Sequence, residues 1–122
     1  MAKKRTIAGL ILTGAAFTGV FLYAQSAPPP SHLDTQHLLL ENAVVRVYDI
    51  RVPPGVTEPK HSHGRGITIA MSDYDNETTT YPDNKHTAGH TAFGDVKWVE
   101  PVTHEAHNTG KTEQHVVRIE LK

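Results

Sequence analysis

The sequence predicts an all-β domain, closed as a sandwich or a barrel. From Leu38 onward, short runs rich in β-branched residues alternate with clusters of Gly, Pro, Asn and Asp, the pattern of strands joined by tight turns. No apolar stripe recurs at helical spacing in that stretch. About eight short strands in so few residues bury their faces only by packing sheet on sheet or closing on themselves.

Leu38, Leu39 and Leu40 open the first strand, and Glu41-Asn42 leads into the run from Val44 to Val52. That second run is dense in valine and isoleucine, which places it centrally in a sheet. Pro53-Pro54-Gly55 stops it and turns the chain. A strand carrying His61 and His63 follows, then a Gly64-Arg65-Gly66 turn. Ile67 to Met71 alternates as a further strand. Glu77 to Tyr81 is rich in threonine and reads as a strand with one exposed face. Pro82-Asp83-Asn84-Lys85 is a tight turn, and His86 to Phe93 reads either as strand or as loop. Val96 to Val99 is a strand ended by Pro101. Thr103 to Asn108 is short, with a bend expected near His107. The turn after Asn108 enters the last strand, Gln114 to Leu121, which sets Val117, Ile119 and Leu121 on one face. No internal repeat is visible.

The first residues form no part of this domain. Lys3, Lys4 and Arg5 precede an apolar run from Ile7 to Tyr23, Ala24-Gln25-Ser26 supplies small residues, and three prolines follow at 28–30. This is the pattern of a secretory signal peptide over residues 1–26, cleaved after Ala24 or Ser26. The apolar run also has the length of an uncleaved anchor helix. Residues 27–37 read as an extended tether, and 38–122 as the domain. Either fate of the leader places that domain in the periplasm or outside the cell, with no membrane contact beyond the leader.

Composition narrows the function. The chain has no cysteine, so an exported domain of about 85 residues holds together by its core, or by a core and a metal. Twelve Lys and Arg stand against 13 Asp and Glu. Loss of the leader removes three basic residues and no acidic ones, leaving a mildly acidic domain with no basic patch. That argues against nucleic acid and anionic lipid as partners. Neither a Gly-x-Ser-x-Gly elbow, a thiol nor a glycine-rich phosphate loop is present, so those hydrolytic and nucleotide-binding routes have no support.

Two histidine segments carry the chemistry. Side chains two apart share one face of a strand, so His61 and His63 point the same way. His104, on a distant strand, is the third imidazole able to close a facial metal site. The alternative is that all three are polar residues of a metal-free barrel.

The strand count and these segments together resemble a single-domain cupin, a small double-stranded β-helix or jelly-roll barrel. The family's first motif runs Gly, five residues, His-x-His, three or four residues, Glu, six residues, Gly; Gly55, His61 and His63 match its first half. Gly94, Pro101, His104 and Asn108 match the second motif, with one extra residue before the proline and a departure at Thr103. The Pro82-Asp83-Asn84-Lys85 turn and the closing strand are similar to small exported bacterial cupins of unassigned function. The resemblance implies a divalent transition metal (Fe, Zn, Mn, Ni or Cu) on His61, His63 and His104, and a small organic molecule bound beside it. The family's metal-dependent dioxygenases are one implied activity, a non-catalytic ligand- or metal-binding module is the other, and a homodimer is common in the group. The motif's glutamate, however, is absent: Ile67 and Thr68 stand at its two allowed positions. What remains is a neutral three-histidine set, which suits Zn, Cu, Fe and Ni.

The other candidates read as structural. Glu58 and Glu105 have the wrong parity to join the site, and Pro101 separates Glu100 from it. His107 falls on the opposite face from His104. His86 and His90 share a face but read as exposed, while His32, His37 and His115 read as tether or surface. Trp98, Tyr48 and Phe93 read as core aromatics, and Asn108 as a turn-fixing residue. Ile67, Ile69 and Met71 would line an apolar wall if their face turned inward.

Overall fold

The computed structural model describes residues 33–122, which form nine antiparallel strands and no helix. The signal segment and the tether as far as His32 lie outside the described residues. The strands are β1 (Gln36–Glu41), β2 (Val45–Val52), β3 (Thr57–His63), β4 (Gly66–Ala70), β5 (Tyr74–Tyr81), β6 (Lys85–Thr91), β7 (Val96–Val99), β8 (Val102–Asn108) and β9 (Gln114–Leu121). They build a five-stranded sheet in the order β1-β2-β9-β4-β7 and a four-stranded sheet in the order β3-β8-β5-β6. β2 is indeed interior, between β1 and β9. β1 begins at Gln36, upstream of Leu38, because Gln36 and His37 already pair with Ile50 and Asp49.

Alternation along β2 and β9 decides what fills the space between the sheets. On β2, Arg46, Tyr48, Ile50 and Val52 are buried; on β9, Gln114, Val116, Arg118 and Glu120 are. Tyr48, Ile50, Val52 and Val116 form the apolar core, with Tyr74 packed against it. Each such side chain contributes roughly 1.5–3 kcal/mol by leaving water. Register places Arg46 beside Glu120 and Tyr48 beside Arg118, then Ile50 beside Val116 and Val52 beside Gln114. One end of the interior is therefore polar, and the apolar cluster lies behind it.

Three local features hold this arrangement. Pro54 and Gly55 occupy the middle of a turn closed by the Val56 N–H donating to the Pro53 carbonyl at 3.1 Å, and Gly55 has φ 77°, the conformation that such a turn asks of glycine. At Gly66 a Cβ would run into the Ile119 carbonyl oxygen, so only glycine lets β4 approach β9 here. Asn108 is fully buried; its amide donates to the Val52 and Thr112 carbonyls, both at 2.8 Å, and its oxygen accepts from the Gly110 N–H at 3.0 Å. It ties the end of β2 to the turn before β9, the role its position suggested.

Of the two readings of the segment from His86, strand holds: it pairs along β5 from Lys85 to Thr91. Several expectations are corrected. β8 does not bend at His107, which stays in register with Thr57 on one side and Glu77 on the other. Trp98 and Phe93 are exposed at 54% and 68%, so of the three aromatics only Tyr48 belongs to the core. Ile67 and Ile69 pair with Ile119 and Val117 on the outer face of the larger sheet, and Met71 is exposed. Buried Gly66 and Ala70 occupy the inner face instead, so the proposed apolar wall does not line the interior.

Candidate metal centre

His61 and His63 leave β3 on the same side, and His104 stands directly opposite His61 in the β3–β8 ladder. Directly opposed residues have their Cβ atoms about 5 Å apart, so the third imidazole arrives by strand pairing alone. His61 Nε2 lies 3.0 Å from His63 Nε2 and 3.1 Å from His104 Nε2. The ring centroids are 4.6 to 5.4 Å apart. Two nitrogens bound at a right angle by metal–nitrogen bonds of about 2.1 Å stand about 3 Å apart. The separations from His61 to its two partners thus fit one shared ion.

The tautomers are set from outside the cluster. His61 Nδ1 is 2.7 Å from the Pro59 carbonyl, which only accepts, so this nitrogen carries the proton. His63 Nδ1 is 2.6 Å from Glu120 Oε1, a contact between side chains that are almost wholly buried. Neutral His61 and His63 therefore both turn a bare Nε2 inward. Burial lowers the pKa of His63, with smaller contributions from Arg118 and His61 that oppose the Glu120 hydrogen bond. Burial, then the nearness of His61 and His63, which disfavours a further positive charge among the three rings, and the charge of Arg118 depress His104 to about 3. Ring nitrogens gathered this closely with bare lone pairs on His61 and His63 suit a divalent cation.

Glu120 is the carboxylate behind the site. Burial by itself would raise its pKa, but the hydrogen bond from His63 and the charge of Arg118 outweigh that and hold it below the usual range. Arg118 donates to Glu120 at 3.1 Å and to the Gly64 carbonyl at 2.9 Å. A carboxylate on the far nitrogen of a ligating histidine fixes its ring and raises its basicity. Glu120 was legible in principle, since it alternates with Ile119 and Leu121; once those face outward, Glu120 must face inward.

Glu58 corrects an expectation made from parity. A bulge between Glu58 and His61 restores Glu58 to the inner face opposite Ala106, where it is 3% exposed. The signal was Pro59, since a proline inside a strand marks a bulge or an edge. Glu58 Oε1 accepts from the Thr35 hydroxyl at 2.5 Å and from Gln36 Nε2 at 3.0 Å. Gln36 also brings Nε2 within 3.1 Å of His61 Nε2. Neither Gln36 nor Thr35 stood out in the sequence, because both precede the first recognisable strand.

The remaining candidates lie elsewhere. Glu105 and His107 face outward on β8, and His107 Nδ1 contacts the Thr57 hydroxyl at 2.8 Å. Glu100 accepts from the Trp98 indole at 2.7 Å. His86 contacts Thr79, and His90 contacts Asp75, on the exterior of the smaller sheet. His115 contacts Asp49 at 2.6 Å, and His37 is exposed. Among the described residues, His61, His63 and His104 form the one group of metal-ligating side chains.

No family profile matches the chain, and no curated protein matches it. Solved structures do. A cupin domain from Bordetella pertussis Tohama I shares 26% identity at a TM-score of 0.65, over 71% of this chain and 91% of that one. A RmlC-like cupin family protein with a double-stranded β-helix fold, from Methanocaldococcus jannaschii, matches at 15% identity and a TM-score of 0.57, over 82% and 92%. A cupin superfamily protein from Desulfitobacterium hafniense DCB-2 matches at 15% identity and a TM-score of 0.53, over 70% and 74%.

Proposed function

We propose, taking as premise that this chain is a small cupin-domain protein, that it is an exported metal-binding cupin holding a small anionic organic molecule beside a divalent transition metal. His61, His63 and His104 would be the ligands, each through Nε2. The observation that carries this reading is the convergence of three imidazoles, two of them held by Pro59 and Glu120 in the tautomer that bares Nε2. The bound ion would supply Lewis acidity, or a place for dioxygen and substrate together. The chain's own part is to orient three rings, to disfavour protonation of His63 and His104 by burial, and to back His63 with Glu120. Three neutral ligands leave the ion's charge uncompensated at the centre, which favours an anionic or enolisable partner.

Export rests on the leader pattern of residues 1–26 and is part of this proposal. So is the absence of nucleic acid as a partner: Arg46, Arg51, Arg118 and Lys122 are each engaged by a carboxylate. A homodimer across the outer face of the larger sheet completes the reading. Leu40, Val47, Ile119, Ile67 and Trp98 share that face, and its Asp49 and Arg51 pair with each other, with His115 hydrogen-bonded to Asp49. A face with an apolar middle and self-cancelling charge suits a second copy of itself better than a strongly charged partner.

The test is elemental analysis of the exported protein, purified without a histidine tag or added metal. About one divalent metal per chain is expected, lost in the His61→Ala, His104→Ala double variant. Full loading in that variant removes these ligands from consideration, and a wild-type protein that takes no metal removes the function. Oxygen-uptake and hydrolysis assays on iron- and zinc-loaded protein then separate turnover from sequestration.

A further inference from the structure

We infer that Gln36, aimed by Glu58 and Thr35, is the hydrogen-bond donor that recognises a carboxylate oxygen held at the histidine centre. The inference rests on the metal-binding reading above and adds a residue and a ligand class to it. Gln36 is 5% exposed, and its Nε2 lies between two acceptors: Glu58 Oε1 at 3.0 Å and His61 Nε2 at 3.1 Å. His61 Nε2 is bare because Nδ1 holds the ring proton against the Pro59 carbonyl. A carboxylate oxygen and a bare ring nitrogen both require N–H, so the amide is oriented with its nitrogen toward the histidines. The Thr35 hydroxyl, 2.5 Å from the same Glu58 oxygen, holds that carboxylate in place.

Occupation of the centre leaves this donor without its acceptor. Once the lone pair of His61 Nε2 is engaged by an ion, the Gln36 N–H facing it is buried and unpaired, a costly state for a polar group. An oxygen of a ligand bound at the ion satisfies it. Gln36 Oε1 is also buried and has no hydrogen-bond partner; it accepts only, so it is open to a hydroxyl or water arriving with the ligand and not to the carboxylate oxygen itself. The opposite arrangement, in which Gln36 replaces the missing glutamate as a ligand through Oε1, would turn the amide over and set its oxygen against Glu58 Oε1. The position of Glu58 disfavours it.

The test uses the full chain loaded with cobalt(II), whose visible spectrum reports both metal binding and the addition of acetate as probe. Three forms are compared: wild type, Gln36→Met, which keeps the shape without the amide, and Gln36→Glu, which removes the donor and adds like charge. Gln36→Met is expected to leave cobalt affinity within about threefold while weakening acetate about tenfold or more. Gln36→Glu is expected to weaken acetate at least as much. Acetate affinity unchanged in both variants overturns the role of Gln36 while the three-histidine site stands. Cobalt affinity lost in Gln36→Met and raised in Gln36→Glu overturns it in favour of direct ligation. A wild-type chain that takes no cobalt removes this inference together with the metal reading. Should Gln36→Met fail to fold, Thr35→Val in its place is expected to weaken acetate by loosening the aim of Glu58, and unchanged affinity there also overturns the role.

Discussion

A histidine offered to a metal needs one nitrogen bare and the other engaged, and at His63 the second half of that requirement is met by Glu120. Glu120→Gln keeps the shape but removes the anion that secures the His63 Nδ1 proton. Metal affinity, measured by competition with a chelator, is expected to fall about 10- to 100-fold, whereas Glu105→Gln, one residue from His104 but facing outward, is expected to leave it unchanged. His104 makes a second prediction, for the metal-free protein. Its folded pKa of about 3 lies below the ordinary 6.5, so the unfolded chain binds the proton more readily. Its contribution to stability is therefore full above about pH 6.5 and is lost as pH falls toward 3. Melting temperatures across that range should drop with acid, and His104→Phe should drop less steeply; equal slopes would show that His104 is not buried in neutral form.

At the level of strands, Gly66 and Asn108 are the positions where a small change should cost most. Gly66→Ala forces a methyl group into the Ile119 backbone, and separating β4 from β9 should cost about 1–3 kcal/mol in urea denaturation. Asn108→Ala strips a donor from the buried Val52 carbonyl and another from the Thr112 carbonyl and should cost about 2 kcal/mol. Most strands were legible because valine, isoleucine and threonine runs end at glycine and proline. His61, His63 and His104 were legible because two-residue alternation and two spaced motifs mark them. What escaped depended on contacts between strands far apart in sequence. The bulge at Pro59 turned Glu58 inward, and the face of β9 that is richer in valine and isoleucine proved to be the outer one. Periodicity shows that Val117, Ile119 and Leu121 share a side; it does not show which side meets the other sheet. His86 to Phe93 stayed open between strand and loop because it lacks the β-branched run of the other strands, and pairing with β5 makes Lys85–Thr91 a strand.

For the whole molecule, the inner face of the larger sheet is polar at one end beside its apolar core, and its outer face carries an apolar stripe. Arg46, Arg118 and Glu120 lie within, near the histidines, while valines, isoleucines and Trp98 lie without. A polar interior serves a binding site, and an apolar exterior calls for cover. Trp98→Glu, placed near the edge of that face, is expected to shift the protein from dimer to monomer in sedimentation without altering metal content; a wild-type chain that sediments as a monomer would contradict the dimer. The central claim, that His61, His63 and His104 hold one ion together, is tested most directly by X-ray absorption at the edge of the bound metal. Three imidazole nitrogens at about 2.1 Å are expected, reduced to two in His104→Ala. A spectrum with one imidazole or none, or one that His104→Ala leaves unchanged, would contradict it.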